Sequence, residues 1–352
     1  THYHGDHVDL FPYVPERVKQ YIGRTAKEIM LLKCRYLSRK YTAEDICLLE
    51  QFNSFAAKDR IEIGDITVTP YFVSHSACDA YMFVVEGEGK RILHTGDFRE
   101  HGFLGKGLIP AIETYVLKNN IDVLIIEGTM LSRMDENVPH EWDIYRRAKE
   151  LMQQYRYIFV MCSSTDIDRL AAFHLAGKHT QRSFLCDEYQ KEILQIFTST
   201  AGADLHRFDN VYFYKHGHQA QLSLIKDRGF CMPVRSGYRQ RRQIRDLLAQ
   251  LPPEQTCLIY SLWDGYLNEG ENQIKNYVEV WDMFKNRVKL HTSGHAAWKT
   301  LAEVCNRINP STAIIPIHRD ASTDFAALPI TEELKEKIVT KSIMKKNINI
   351  RI

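Results

Sequence analysis

No apolar run in this sequence approaches the roughly 18 to 20 residues that a membrane-spanning helix needs. The opening THYHGDHVDL is polar and His-rich where a secretory signal would be basic and then apolar. There is no C-x-x-C pair, no internal repeat and no low-complexity linker. The cysteines (Cys34, Cys47, Cys78, Cys162, Cys186, Cys231, Cys257 and Cys305) are scattered. That spacing excludes a disulfide scaffold and reads as reduced, mostly buried thiols in a cytoplasmic setting. Net charge is also small, since 46 Lys plus Arg against 44 Asp plus Glu leave +2. A near-neutral total neither demands nor excludes nucleic acid, because it can conceal a local basic stripe. With 44% hydrophobic and 26% charged residues, disordered and fibrous classes are excluded. A length of 352 residues suits one large α/β unit or two closely built domains. An initiating Met is missing: Thr1 opens the chain, as expected of a processed product or of a segment from a longer polypeptide.

Residues 61–85 read as strands. IEIGDITVTPYFV and AYMFVVE are rich in β-branched and aromatic residues, and GEGK at 87–90 supplies a hairpin turn into RILHT. A helix-compatible stretch at 107–118 precedes a buried-strand run, IDVLIIEG, at 121–128. From about 140 to 290 strand and helix patterns alternate: YIFVMC before DIDRLAAFHLAG, RSFLCD before EYQKEILQIF, then NVYFYK and TCLIYS. Such alternation implies a parallel sheet flanked by helices. KLHTSG, a helix over 297–308, the strand TAIIPIH and a polar helical tail complete the chain.

Histidine is abundant, with 15 residues, and its placement carries the functional reading. His2, His4, Asp6 and His7 form H-x-H-x-D-H. Zinc takes neutral imidazole and carboxylate ligands at about 2.0–2.2 Å. Alternate residues of an extended segment point the same way, so His2 and His4 can share one ion. Asp6 and His7, just past the Gly5 bend, can then face a second. Two ions about 3.5–4 Å apart can bridge a water and make it hydroxide at neutral pH. Isolated H-x-H pairs are common, and His216 with His218 form another; the full pattern with its acid is far rarer.

H-x-H-x-D-H resembles the signature of the metallo-β-lactamase superfamily, and later landmarks follow in the order that family uses. The resemblance implies a third ligand for the first metal at His75 in VSHS. It likewise implies a bridging carboxylate at Asp97 in HTGDFRE and a final second-metal ligand at His318 in IPIHRD. Taken singly, each could be a satisfied core histidine or a turn aspartate; their joint order makes chance a poor account. Glu127 in IDVLIIEGT and His295 in HTSGHA, with the long α/β block between them, resemble the β-CASP branch. Those are nucleic-acid-processing metallo-hydrolases with a second domain inserted between these two motifs. HTGDFRE and HTSGHA are similar to ribonuclease J-type enzymes, and a histidine at the position of His318 goes with RNA substrates in that branch. The implied fold is α/β, a metallo-β-lactamase αββα sandwich from residues 1–135 and 289–352, with a parallel β-CASP domain inserted at 136–288. Members normally carry several strands ahead of H-x-H-x-D-H. The sandwich is therefore expected to be N-terminally incomplete, a fragment of a longer enzyme with exposed strand edges and uncovered apolar faces.

The implied cofactors are two Zn2+, with Mn2+ as the alternative, and the implied substrate is single-stranded RNA. No membrane partner is expected, and a homodimer is left open. In the expected mechanism a metal-bridged hydroxide attacks the phosphodiester while Asp6 and Asp97 hold the ions. His295, kept protonated by Glu127, contacts a phosphate oxygen or protonates the departing one. Ser293 and Gly294 at a strand-to-helix junction, and Ser163 and Ser164 in CSSTDIDR, are candidate phosphate contacts. Thr165 with Asp168 gives the latter loop a capping-box-like start, which is equally an ordinary helix cap. A basic stretch carries Lys226, Arg228, Arg235, Arg239, Arg241, Arg242 and Arg245 around Tyr238; it reads as a phosphate-backbone contact or, more simply, a solvated helix face. Trp263, Trp281 and Trp298 read as packing residues. Competing functions are hydrolysis of a small ester, thioester or cyclic nucleotide, and a catalytically inactive RNA-binding fragment. Endonuclease and 5′-exonuclease action are not separated by these motifs.

Overall fold

The computed structural model describes residues 1–37 and 40–339. The chain divides into two compact units, one from residues 1–138 with the chain from Gly294 onward, the other from Pro139–Ser293. In chain order the first unit contributes β1 (Tyr21–Gly23), β2 (Asn53–Phe55), β3 (Ile61–Ile63), β4 (Ile66–Val73), β5 (Ala80–Gly87), β6 (Lys90–His94) and β7 (Val123–Glu127). The second unit contributes β8 (Tyr157–Met161), β9 (Ser183–Cys186), β10 (Val211–Phe213), β11 (Phe230–Val234), β12 (Thr256–Tyr260) and β13 (Asn286–Lys289). The chain then returns to the first unit with β14 (Ala313–Ile317). The fold is α/β.

In the first unit β1 and β2 form a small parallel pair, and the main sheet has the order β14-β7-β6-β5-β4-β3. The strands β3 to β6 are antiparallel neighbours, whereas β6–β7 and β7–β14 are parallel. The β5–β6 hairpin turns through Glu88 and Gly89, both at positive φ, as a two-residue turn matched to strand twist requires. Two reversals separate β4 from β6, so β4, β6, β7 and β14 all run the same way. Their C-terminal ends therefore share one edge of the sheet. Val73, His94, Glu127 and Ile317 end these strands, which places His75, Asp97, Glu127 and His318 at or just past that edge.

One face of this sheet is dry. Met82, Val84, Leu93, Leu124, Ile126 and Ile314 pack with Leu301, Val304, Cys305 and Ile308 of the helix Trp298–Ile308, whose apolar positions recur every three or four residues. On the other face Val85, Ile92, Val123, Ile125, Ile315 and Ile317 are half-buried, and Phe55 covers Tyr81 and Phe83. That face is thus partly covered, less open than expected. The outer edge of β14 is also partly paired: Ile314 N–H donates to the Lys337 carbonyl and accepts at its own carbonyl from Val339, both at 2.8 Å. Of the expected polar tail, the helix Glu332–Glu336 is seen; the stretch beyond residue 339 lies outside the described residues.

The second unit is a six-stranded, all-parallel sheet in the order β10-β9-β11-β8-β12-β13. Its central strands β8, β11 and β12 are buried at every position, which is why their sequences read as near-continuous apolar runs. The expected capping box at Thr165 and Asp168 does not form. Asp166 caps the helix Ile167–His179, accepting from Arg169 N–H at 3.1 Å, because Asp168 faces inward to pair with His206 at 2.8 Å. The Arg169 side chain is the buried hub of this unit. It donates to both oxygens of Glu141 (3.0 and 3.2 Å), to the Ser261 carbonyl (3.1 Å) and hydroxyl (2.6 Å), and to the Thr292 carbonyl (3.0 Å).

Removing one member of a buried ion pair strands the other charge in low dielectric. Arg169→Ala is expected to cost about 3–5 kcal/mol, read as a lower denaturant midpoint for this unit's unfolding. An unchanged midpoint would show that Glu141 finds other donors.

Candidate metal centre

The H-x-H-x-D-H segment runs extended through His4 (φ −68°, ψ 150°) and then closes into one helical turn, Gly5–Val8. Two contacts pin the extended part. Tyr3 is fully buried, and its hydroxyl accepts from Cys78 N–H at 2.9 Å. Its carbonyl accepts from Lys33 Nζ at 3.0 Å. With Tyr3 turned into the core, the alternation of an extended chain sends His2 and His4 the opposite way. The turn that follows brings Asp6 and His7 back to the same place. Gly5 makes this turn tight: a Cβ there would meet Asp9 Oδ2 at 2.5 Å, and Asp9 is held by Tyr41 and Lys40.

Every candidate ligand belongs to the first unit, and they converge. His4 Nδ1 lies 3.2 Å from His75 Nε2, with the His2 ring 4.5 Å from each of theirs, centroid to centroid. His7 Nε2 lies 2.9 Å from Asp97 Oδ2, and His318 Nε2 lies 2.9 Å from Asp6 Oδ2. Asp97 stands between the groups, with its carboxylate oxygens 3.9 Å from His2, 3.7 Å from His295 and 3.7 Å from His318. Among the described residues, His2/His4/His75, His2/His7/Asp97, Asp6/His7/His318 and Asp97/Glu127/His295/His318 each place their ligand atoms within 4.8 Å of one another. Each of these groups could hold a metal ion.

Chemistry favours that occupancy. His2 Nε2, His7 Nε2 and Asp97 Oδ2 are buried and have no hydrogen-bond partner of acceptable geometry. A buried polar atom left so costs roughly 1–3 kcal/mol, and a cation between these three would satisfy them together. Burial holds His2 and His75 well below the ordinary imidazole range and His4 at about 4, so all three are neutral, as metal ligands must be. Burial works against charge on Asp97, but the neighbouring His7, His295 and His318 outweigh it and hold the carboxyl below its usual value. The donor set fits a divalent ion of borderline softness and does not choose between zinc and manganese.

Glu127 is fully buried and its oxygens are committed. Oε1 accepts from Phe98 N–H at 2.9 Å and Ala296 N–H at 3.4 Å, while Oε2 faces His295 Nδ1 at 3.1 Å. Burial opposes a charge on His295, yet Glu127 and Asp97 outweigh it and raise the ring above the ordinary imidazole value. Sequence reasoning missed several orienting groups. His75 Nδ1 donates to the Gly294 carbonyl at 2.6 Å, and Thr129 Oγ1 lies 2.7 Å from His318 Nδ1. Gly294, a candidate phosphate contact from the sequence, holds the His75 ring through its carbonyl. Ser163, Ser164 and Ser293 lie in the second unit, where the Ser164 carbonyl accepts from Gln190 and Ser163 Oγ lies 3.4 Å from Thr165 Oγ1. In the basic stretch Arg235 pairs with Asp187 and Arg241 with Glu279, leaving Tyr238 71% exposed on a helix that buries Ile244 and Leu247.

No family model matches the chain. It is 25% identical over 308 residues to Endoribonuclease YSH1 of Mycosarcoma maydis, a similarity covering 77% of this chain and 34% of that protein. The chain therefore spans about a third of the length of the curated relative it matches. That similarity points to the β-CASP metallo-β-lactamase family. A crystal structure of a protein of unknown function from Enterococcus faecalis V583 superposes with a TM-score of 0.67, at 19% identity over 90% of this chain and 74% of that one. The two share a fold. Among the described residues no helix is long and apolar enough to cross a membrane.

The two ligand sets differ in proton affinity, and this can be measured. The hydrogen bond to Asp6 raises His318 to about 9 against the opposing effect of burial. Its ring is then protonated at pH 7 in the metal-free protein, and an ion entering at Asp6/His7/His318 must displace that proton. Uptake there should strengthen by up to about tenfold per pH unit towards pH 9 and release about one proton per ion. Uptake at His2/His4/His75 should be flat from about pH 6 upwards. Calorimetry in buffers of different ionisation heat reads both, and zero proton release at pH 7 would sink the assignment.

Proposed function

We propose that this chain is a two-metal ribonuclease, an RNA-processing phosphodiesterase of the ribonuclease J type, acting on single-stranded RNA. The convergence of His2, His4, Asp6, His7, His75, Asp97 and His318 at one sheet edge, with the Glu127–His295 pair against Asp97, carries this reading. The relative's being an endoribonuclease supports hydrolysis of RNA over a small ester or thioester. On this reading residues 1–135 with 289–352 are the metallo-β-lactamase domain and 136–288 the β-CASP domain, and the free cysteines suit a cytoplasmic setting.

Bound zinc would supply Lewis acidity and a nucleophile at neutral pH. The protein's own groups do the rest. Asp97, buried and held below its usual carboxyl range by the imidazoles around it, would be a ligand of the metal centre. Thr129 and the Gly294 carbonyl orient His318 and His75. His295, whose hold on a proton Glu127 strengthens against the opposing effect of burial, donates to a phosphate oxygen where negative charge accumulates, or protonates the departing oxygen. Its side chain is one-fifth exposed, enough for a substrate oxygen to reach it.

Cleavage of a 5′-labelled single-stranded RNA, together with metal content by elemental analysis, tests this reading. Wild type should hold close to two ions per chain and cleave. Asp97→Ala should lose both metal and cleavage, while His295→Ala should keep the metal and slow cleavage by roughly 10²–10⁴-fold. Equal cleavage by wild type and Asp97→Ala would overturn the proposal.

A further inference from the structure

We infer that Thr129 is a positioning residue that sets both the ring and the backbone of His318 for metal binding, an inference that rests on the two-metal reading above. Glu127 ends β7 directly opposite Ile317 of β14, so residues 128–129 and 318–319 leave the sheet side by side. His318 leaves it at φ +48°, a left-handed conformation that a residue with a Cβ occupies at some cost. Thr129 Oγ1 donates to the His318 carbonyl at 3.0 Å and also lies 2.7 Å from its Nδ1. A threonine hydroxyl carries one hydrogen. With that hydrogen committed to the carbonyl, the oxygen can only accept from the ring. His318 Nδ1 must therefore carry the hydrogen, and Nε2, 2.9 Å from Asp6, is the atom that offers its lone pair to a cation.

The neighbouring glycine permits this approach. A Cβ on Gly128 would stand 2.9 Å from Leu131 Cδ1 and 3.2 Å from Arg319 Cβ, so a larger residue would push the two segments apart. One hydroxyl thus closes a small ring with a single residue. It holds the unfavourable backbone turn at the carbonyl and fixes the tautomer at the imidazole.

The test uses Thr129→Val, which keeps the shape and removes both hydrogen bonds, and Thr129→Ser, which keeps the hydroxyl. In chelator competition T129V should bind the second zinc ion roughly 10- to 100-fold more weakly, with the first ion unaffected and T129S close to wild type. Imidazole ¹⁵N spectra of the metal-free chain above about pH 10, where the His318 ring is neutral, should show a hydrogen held on His318 Nδ1 in wild type and T129S, and shared between both nitrogens in T129V. Second-ion affinity in T129V equal to wild type, or identical spectra, would overturn the inference. A wild-type chain that takes up no zinc, yet shows the Nδ1 hydrogen held in wild type and lost in T129V, would overturn the two-metal reading while upholding the hold of Thr129 on the ring.

Discussion

Two carboxylates, Asp97 and Glu127, are buried at one edge of a sheet, and a charge removed from water has to be met by donors or cations. Glu127 is met from within the chain, by two backbone N–H groups and the His295 ring. Asp97 is met only in part. Imidazoles surround it, yet its Oδ2 and the facing nitrogens of His2 and His7 have no hydrogen-bond geometry among themselves. The adjacent charges differ in completeness: Glu127 is satisfied by the chain, whereas Asp97 keeps an oxygen that could face an ion.

The second unit shows the complete solution. Arg169 and Glu141 are as deeply buried as Asp97, but the guanidinium is closed by the carboxylate, by a serine and by carbonyls at the ends of strands and loops. Such a network leaves no donor or acceptor looking for a ligand, and its effect is to fix the unit's interior. The candidate metal centre instead leaves buried polar atoms unmatched. Around Asp97 Oδ2 the facing nitrogens of His2 and His7 make no hydrogen bond of acceptable geometry, a gap that a cation could fill.

Strand direction turns this chemistry into a site. Residues from four distant stretches meet because β4, β6, β7 and β14 run the same way and finish at one edge. The sheet is packed on its dry face by the helix Trp298–Ile308, which gives the groups at its edge a firm base. Orienting groups then come from the loops beside that edge, as Thr129 does for His318 and the Gly294 carbonyl for His75.

The sequence by itself determined much that is local. Alternation in IEIGDITVTPYFV, the GEGK turn, and the apolar runs of β8, β11 and β12 declare their elements, because period-2 patterns, positive-φ turns and two-sided burial each leave a direct mark on residue choice. H-x-H-x-D-H marks a candidate ligand segment for the same reason, its six residues being neighbours in space because they are neighbours in the chain. Sequence went wrong at Thr165, where helix-cap chemistry suited several adjacent residues and burial of Asp168 against His206 decided among them. It was silent about Tyr3 and Lys33 pinning the first ligands, about the carbonyl of Gly294, and about Thr129. Those contacts join residues 30 to 219 positions apart, and nothing in either partner's local pattern announces the other. Tertiary structure alone decided them, since a hydrogen bond between distant segments depends on strand order and register, which no single stretch of chain encodes.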